Sequence, residues 1–202
     1  MSARRRVVLA SANKGKLTEI QALLEGSGIE LRPLSEFEMP DVEESGFTFV
    51  ENAIIKARAA CVASGMPAIA DDSGLEIDAL GGEPGVHSAR FAGIHGDDQA
   101  NNALLLERLA QVPDSGRSGR FRCVVVSFAH AADPAPLICE GVWEGRIADH
   151  PRGGGGFGYD PLFVPRGMSM TSAELSPAEK NRLSHRAQAL RKLIERLTMA
   201  VA

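Results

Sequence analysis

The stretch "VVLASANKGKLTEIQALLEGSG", residues 7–28, sets the fold class. Its first residues form a short apolar run, the mark of a buried strand. From Lys14 the pattern changes. Leu17, Ile20, Leu23 and Leu24 share one helical face, and Gly26 or Gly28 stands near the expected end of the helix.

The mixture of strand and helix continues outward from there. Thr48 and Glu51 form a capping box for a second helix, with Phe47, Val50, Ile54, Ala57 and Cys61 on a helical stripe. Gly65 and Pro67 end it. "PAIAD" (67–71) reads as the next strand, ending in two aspartates that open onto a Gly-containing turn. Residues 97–111 read as a third helix. "FRCVVVSFA" (121–129) and "LICEGVWEG" (137–145) read as strands of a hairpin. Ser176, Pro177 and Glu179 give a cap, a proline at the first helical position and a second capping box. Leu183, Ala187, Leu190, Ile194 and Leu197 continue that helix. "PRGGGGFGYDP" (151–161) is too glycine-rich for a regular element. Intermingled helices and strands predict an α/β fold with a mixed sheet flanked by helices. No repeat or linker interrupts the chain, so residues 1–202 are expected to form a single domain, large enough for one good-sized core or two lobes.

The net charge of −4 leaves no general electrostatic footprint for nucleic acid. Arg4, Arg5 and Arg6 read as a solvated basic run. Cys61, Cys123 and Cys139 are odd in number and lack metal-ligand spacing, which suits a reduced, cytoplasmic protein. "RRRVVLASA" resembles a signal peptide, but its apolar run is too short. No stretch approaches the ~20 apolar residues of a membrane span.

Four stretches carry candidate chemistry. "SANKGK", Ser11 to Lys16, lies where a strand meets a helix. A helix N-terminus attracts phosphate, and Ser11, Asn13 and Lys16 add side-chain donors. It is not a Walker A loop, because Leu17 follows Gly15-Lys16 and position 10 is Ala10. An ordinary N-cap with exposed lysines accounts for it equally well. Asp71 and Asp72 repel as neighbours and suit magnesium, which bridges one or two carboxylates to substrate phosphates. Glu43 or Glu44 of "EESG" can add another carboxylate. The alternative is that one aspartate caps the turn at Ser73-Gly74. "GGGGFGYDP" (153–161) is a flexible loop whose ring either stacks on a base or anchors the loop through Phe157 or Tyr159. In "EKNRLSHR" (179–186), one unbroken helix would set Lys180 and His185 about 140° apart, on different faces. Ser184 can instead cap a fresh helix beginning at His185; without that break His185 is a solvated histidine.

Taken in order, "SANKGK", "ENAIIKA", "ADDSGLEIDALGGEPGVHSAR", "GGFGYDPLF" and "AEKNRLSHRAQAL" resemble the inosine/xanthosine triphosphate pyrophosphatases, house-cleaning enzymes for non-standard purine nucleotides. The resemblance runs from Val7 to Leu197. It implies an elongated α/β fold with a curved, mixed sheet, two lobes and a central substrate cleft, a homodimer, and Mg²⁺ as cofactor. By matching position, Ser11, Ala12, Asn13, Lys14, Gly15, Lys16 and Lys56 hold the triphosphate. Glu44 and Asp72 are metal ligands, with Asp71 a further candidate. Asp72 is also the general base, and Ser73 contacts substrate. Phe157, Gly158, Tyr159, Asp160, Lys180, His185 and Arg186 meet the base. Ser11 stands where many members carry Thr, and residues 92–98 and 153–156 are variable. The implied reaction is attack of water on the α-phosphorus, giving a nucleoside monophosphate and pyrophosphate from ITP, dITP or XTP. The competing functions are a pyrophosphatase for modified pyrimidine nucleotides and a nucleotide-binding protein without turnover. No nucleic-acid or membrane partner is expected.

Overall fold

Asn13 and Thr48 decide where the first two helices begin. The Asn13 side chain accepts a hydrogen bond from the Lys16 N–H. Thr48 and Glu51 close a reciprocal capping box. Each pair satisfies backbone donors that a helix start leaves free. The computed structural model describes residues 5–38 and 42–199, so Arg4 of the basic run lies outside the described residues. The elements in chain order are β1 (Arg5–Leu9), α1 (Lys14–Leu24), β2 (Ile29–Pro33), α2 (Phe49–Ser64), β3 (Ala68–Ile77) and α3 (Asp98–Arg108). Then follow β4 (Ser118–Phe128), β5 (Leu137–Ile147), β6 (Phe163–Pro165), α4 (Pro177–Leu183) and α5 (His185–Met199).

The strands form one open sheet in the order β2-β1-β3-β4-β5-β6. β1 runs parallel to both β2 and β3, while β5 and β6 are antiparallel. The connection 129–136 between β4 and β5 is too short for the crossover that a parallel pair requires. The fold is therefore α/β with a mixed sheet flanked by helices.

The chain divides into two units. Among the described residues, the first unit holds those up to Asp72, 123–141, and those from Arg186 onward. Its core joins Val7, Leu9, Ile20, Leu24, Ile69, Val125, Leu190 and Leu193. Fully burying one such aliphatic side chain contributes about 1.5–3 kcal/mol. The second unit holds Ser73–Arg122 and Val142–His185. Its core joins Leu75, Ile77, Leu105, Phe121, Trp143, Tyr159, Leu162 and Phe163.

Three local expectations change. The buried side of α2 is Phe49, Ala53, Ala57, Ala60 and Cys61, whereas Phe47 precedes the cap and is 91% exposed. Ala57 and Cys61 of the predicted stripe are buried as expected, whereas Val50 and Ile54 are half-buried and Phe47 lies outside the helix. β3 does not end at Asp71 but continues through Asp72, Ser73 and Gly74 to Ile77. Buried Leu75 and Ile77 carry the strand past residues that are poor strand formers. β2 and β6 were not anticipated: β2 is half-buried throughout, and β6 has three residues. Of the two readings left open for the C-terminal helix, the broken one holds: Ser184 has an extended backbone, and α5 begins at His185.

Candidate active site

The extension of β3 explains the aspartate pair. Consecutive strand residues point to opposite faces, so Asp71 and Asp72 turn away from each other and each finds its own cations. Neither is a turn cap.

Asp71 is fully buried. Lys16 Nζ lies 3.0 Å from its Oδ2, and Arg186 Nη2 lies 3.3 Å away. Arg186 also pairs with Glu19 of α1. Burial by itself would raise the Asp71 carboxyl, but the charges of Lys16, Arg186 and Lys56 outweigh it and hold the group well below the usual carboxylate range. The same burial, with the Asp71 charge nearby, pushes the Cys123 thiol up to about 12, so this cysteine stays protonated and unreactive.

Asp72 meets α2. Lys56 Nζ is 2.8 Å from Asp72 Oδ1 and 3.1 Å from Glu44 Oε1. Asn52, one turn before Lys56 on the same helical face, lies 3.4 Å from Asp72 Oδ2 through Nδ2. The Asn52 Oδ1 accepts the Gly46 N–H at 2.8 Å, which fixes the loop that carries Glu44. Burial raises the Asp72 carboxyl above its ordinary value, and Lys56 and Lys16 offset that only in part. The two neighbours are thus pushed in opposite directions, the arrangement that separates an anchoring carboxylate from a base.

At the α1 N-terminus the Ser11 Oγ accepts the Asn13 N–H at 3.3 Å, and Ala12, Asn13 and Lys14 are exposed. The N–H groups of Lys14 and Gly15, in the first helical turn, have no acceptor within the helix.

In the second unit, Asp160 is the hub. Its Oδ2 accepts the Phe157 N–H at 2.8 Å and pairs with Lys180; its Oδ1 accepts the Ser172 hydroxyl at 2.8 Å. Lys180 Nζ also sits 4.9 Å from the centre of the Phe157 ring, close enough for a cation–π attraction. The glycine run is not free-hanging. A side chain at Gly156 would overlap the Asp160 carboxylate, and Gly156 has φ +74°. His185 lies stacked on Phe121, centroids 4.7 Å apart and planes 12° apart, with Trp143 beyond.

Two placements depart from expectation. Tyr159, grouped above with the base contacts, is buried in the core, and its hydroxyl donates to the Ser88 carbonyl at 2.9 Å. It is the anchor of the loop. Arg186 sits with Asp71 and Glu19 in the first unit, whereas Lys180 and His185 belong to the second. The helix break at Ser184 parts Lys180, on α4, from His185 and Arg186, which open α5. Ser73 follows Asp72 in β3 and is partly buried.

A sequence profile of the Ham1 family matches residues 7–196. The chain belongs to the Ham1 family. A dITP/XTP pyrophosphatase of Thioalkalivibrio sulfidiphilus is 58% identical over 192 residues, covering 95% of this chain and 98% of its own. The dITP/XTP pyrophosphatase of Pseudomonas aeruginosa is 55% identical over 191 residues, covering 95% and 96%. A solved structure of a HAM1 protein from Coxiella burnetii matches with a TM-score of 0.89 at 53% identity, over 96% of this chain and 99% of that one. A nucleoside-triphosphatase / dITP/XTP pyrophosphatase from Mycobacterium abscessus matches with a TM-score of 0.75 at 46% identity, over 93% and 97%.

In each unit some residues that hold these side chains carry no motif of their own. Asn52 lies inside "ENAIIKA", four residues before Lys56, and that spacing was the available signal. Glu19 and Ser172 gave none, because their partners are distant in sequence.

Proposed function

We propose that the chain hydrolyses non-standard purine nucleoside triphosphates, ITP, dITP and XTP, to the monophosphate and pyrophosphate. The observation that carries this reading is Asp72: a buried carboxylate with a raised proton affinity, sharing one ammonium with Glu44. Family membership and the names of the relatives support the same activity.

Glu44 and Asp72 fit magnesium. Their oxygens converge on the Lys56 Nζ, so both reach one point of positive charge. Among the described residues no group of three His, Cys, Asp or Glu side chains forms a cage. Magnesium does not require one, since it takes one or two carboxylates and completes its shell with water and substrate phosphates. Bound there, the ion would supply neutralisation of charge on the phosphates. Asp71, enclosed by Lys16 and Arg186, is left to anchor those two cations.

In the proposed reaction Asp72 takes a proton from the water that attacks the α-phosphorus. Lys16, Lys56 and the N–H groups of Lys14 and Gly15 hold phosphate oxygens, with Ser11 and Asn13 shaping the turn. Phe157 stacks on the purine, and Lys180, Asp160 and His185 supply polar contacts to its edge. The free, buried state of all three cysteines suits a reducing compartment, and the proposal extends to a cytoplasmic homodimer acting as a single catalytic domain on small-molecule substrates, without nucleic acid.

Pyrophosphate release is to be measured with ITP, XTP, ATP, GTP and a pyrimidine triphosphate in the presence of Mg²⁺. Turnover of ITP and XTP at a kcat/KM at least about 10²-fold above ATP is expected, because unpaired polar groups reject the wrong base. Binding of ITP without pyrophosphate release would overturn the enzymatic reading, and equal turnover of ATP would overturn the substrate assignment.

A further inference from the structure

Gly158 stands between the Phe157 ring and the Tyr159 anchor, and its backbone is held from both sides by one helix. Its N–H donates to Asp98 Oδ2 at 2.6 Å, and its carbonyl accepts from Asn102 Nδ2 at 2.9 Å. Asp98 and Asn102 are one turn apart on α3, so they present a matched acceptor and donor at fixed spacing. The Asn102 Nδ2 also donates to the Asp98 carbonyl at 2.8 Å. Two carbonyls facing the same nitrogen settle which way the amide points. The cost is visible: Asn102 Oδ1 is buried and has no hydrogen-bond partner among the described residues. Gly158 itself has φ +61°, a conformation that needs no side chain but does need to be held.

We infer that Asp98 and Asn102 are positioning residues for purine recognition: they fix the Gly158 backbone and thereby aim the Phe157 ring and the Asp160 carboxylate at the base. The linkage is short. Phe157 N–H and carbonyl are both tied to Asp160, at 2.8 and 3.2 Å, so a shift at Gly158 moves the ring and the hub together. Neither α3 residue touches substrate. The inference rests on the base-site assignment made under the proposed function.

Asn102→Leu keeps the side-chain size and removes both donations. Asp98→Ala removes the acceptor, and Asp98→Asn retains an oxygen for the Gly158 N–H. Each variant is to be measured for kcat and KM with ITP and ATP, for amide exchange across 156–160, and for Tm. The expected result is a fall of about 10-fold or more in the ITP-over-ATP ratio of kcat/KM for Asn102→Leu and Asp98→Ala, carried by KM for ITP, as misplacement of a binding group produces. Exchange at Gly158 should quicken, and Asp98→Asn should recover most of the ratio. A variant that loses Tm and loses both substrates in equal proportion has only a structural role, and that result overturns the inference. So does a wild-type preference that survives unchanged in Asn102→Leu and Asp98→Ala. Equal handling of ITP and ATP by the unaltered protein overturns the base-site assignment and this inference with it.

Discussion

Asp71 and Asp72 are adjacent in sequence and opposite in consequence. Asp71 lies below the ordinary carboxylate value of about 3.9 because Lys16 and Arg186 overcome its burial. A depressed carboxyl contributes stability above its unfolded value, and that contribution is lost as pH falls through the folded one. Asp71→Asn leaves buried Arg186 and partly buried Lys16 short of a partner and should cost about 3–5 kcal/mol at neutral pH. Urea unfolding at a series of pH values checks the sign: the gap from wild type should be largest at neutral pH and shrink as the medium is acidified below about 4. Asp72→Asn is expected to do the reverse. It should lower kcat about 10²-fold or more, as removal of a general base does, with a urea midpoint close to wild type. Steady-state kinetics with ITP alongside denaturation separate the two. The sequence displayed both carboxylates. It hid their opposite orientation, because Asp, Ser and Gly are weak strand formers and only buried Leu75 and Ile77 reveal that β3 continues.

Elements whose cause is local were legible, and elements whose cause is remote were not. The capping boxes at Thr48 and Ser176 are written within four residues and fall where expected. β2 owes its place to pairing with β1, and β6 to pairing with β5, which no short window contains. The loop 153–158 looked loose on composition, yet its glycines differ. Gly156→Ala would push into the Asp160 carboxylate and adopt a left-handed φ, whereas a side chain at Gly154 meets nothing within 4 Å. Gly156→Ala should therefore raise KM for ITP about 10-fold or more by displacing the Asp160 hub. Gly154→Ala should leave kcat and KM within about twofold, as surface changes away from such contacts do. Parallel kinetics on the two variants test the contrast, and equal effects would show that the loop acts by flexibility instead.

Across the whole molecule, Lys16, Lys56 and Arg186 face Glu19, Glu44, Asp71 and Asp72, three cations against four carboxylates. One net negative charge repels a triphosphate, and a divalent cation reverses the sign. EDTA should abolish pyrophosphate release and Mg²⁺ should restore it; full turnover in metal-free buffer would refute the metal assignment. Light scattering should give about twice the chain mass of 21.5 kDa, and an active monomer at micromolar concentration would exclude the homodimer. The members of this charge set are scattered from residue 16 to residue 186; resemblance supplied Lys16, Glu44, Lys56 and Asp72, with Asp71 a candidate, but grouped Arg186 with the base contacts and gave nothing for Glu19. The division into two units agrees with the two lobes that the chain length allowed and the resemblance implied, and the helix break beside its last boundary was offered by the cap at Ser184.

The alternation along β3 also bears on how such a protein could change its occupation over generations. On the proposed mechanism, two neighbouring codons answer to different kinds of selection, one for a foldable chain and one for turnover. A single base change converts Asp72 to Asn and leaves the anchor of Lys16 and Arg186 intact. Descendants that abandon hydrolysis but keep a nucleotide as a signal are one such step away, and they are expected to have lost the second aspartate while retaining the first.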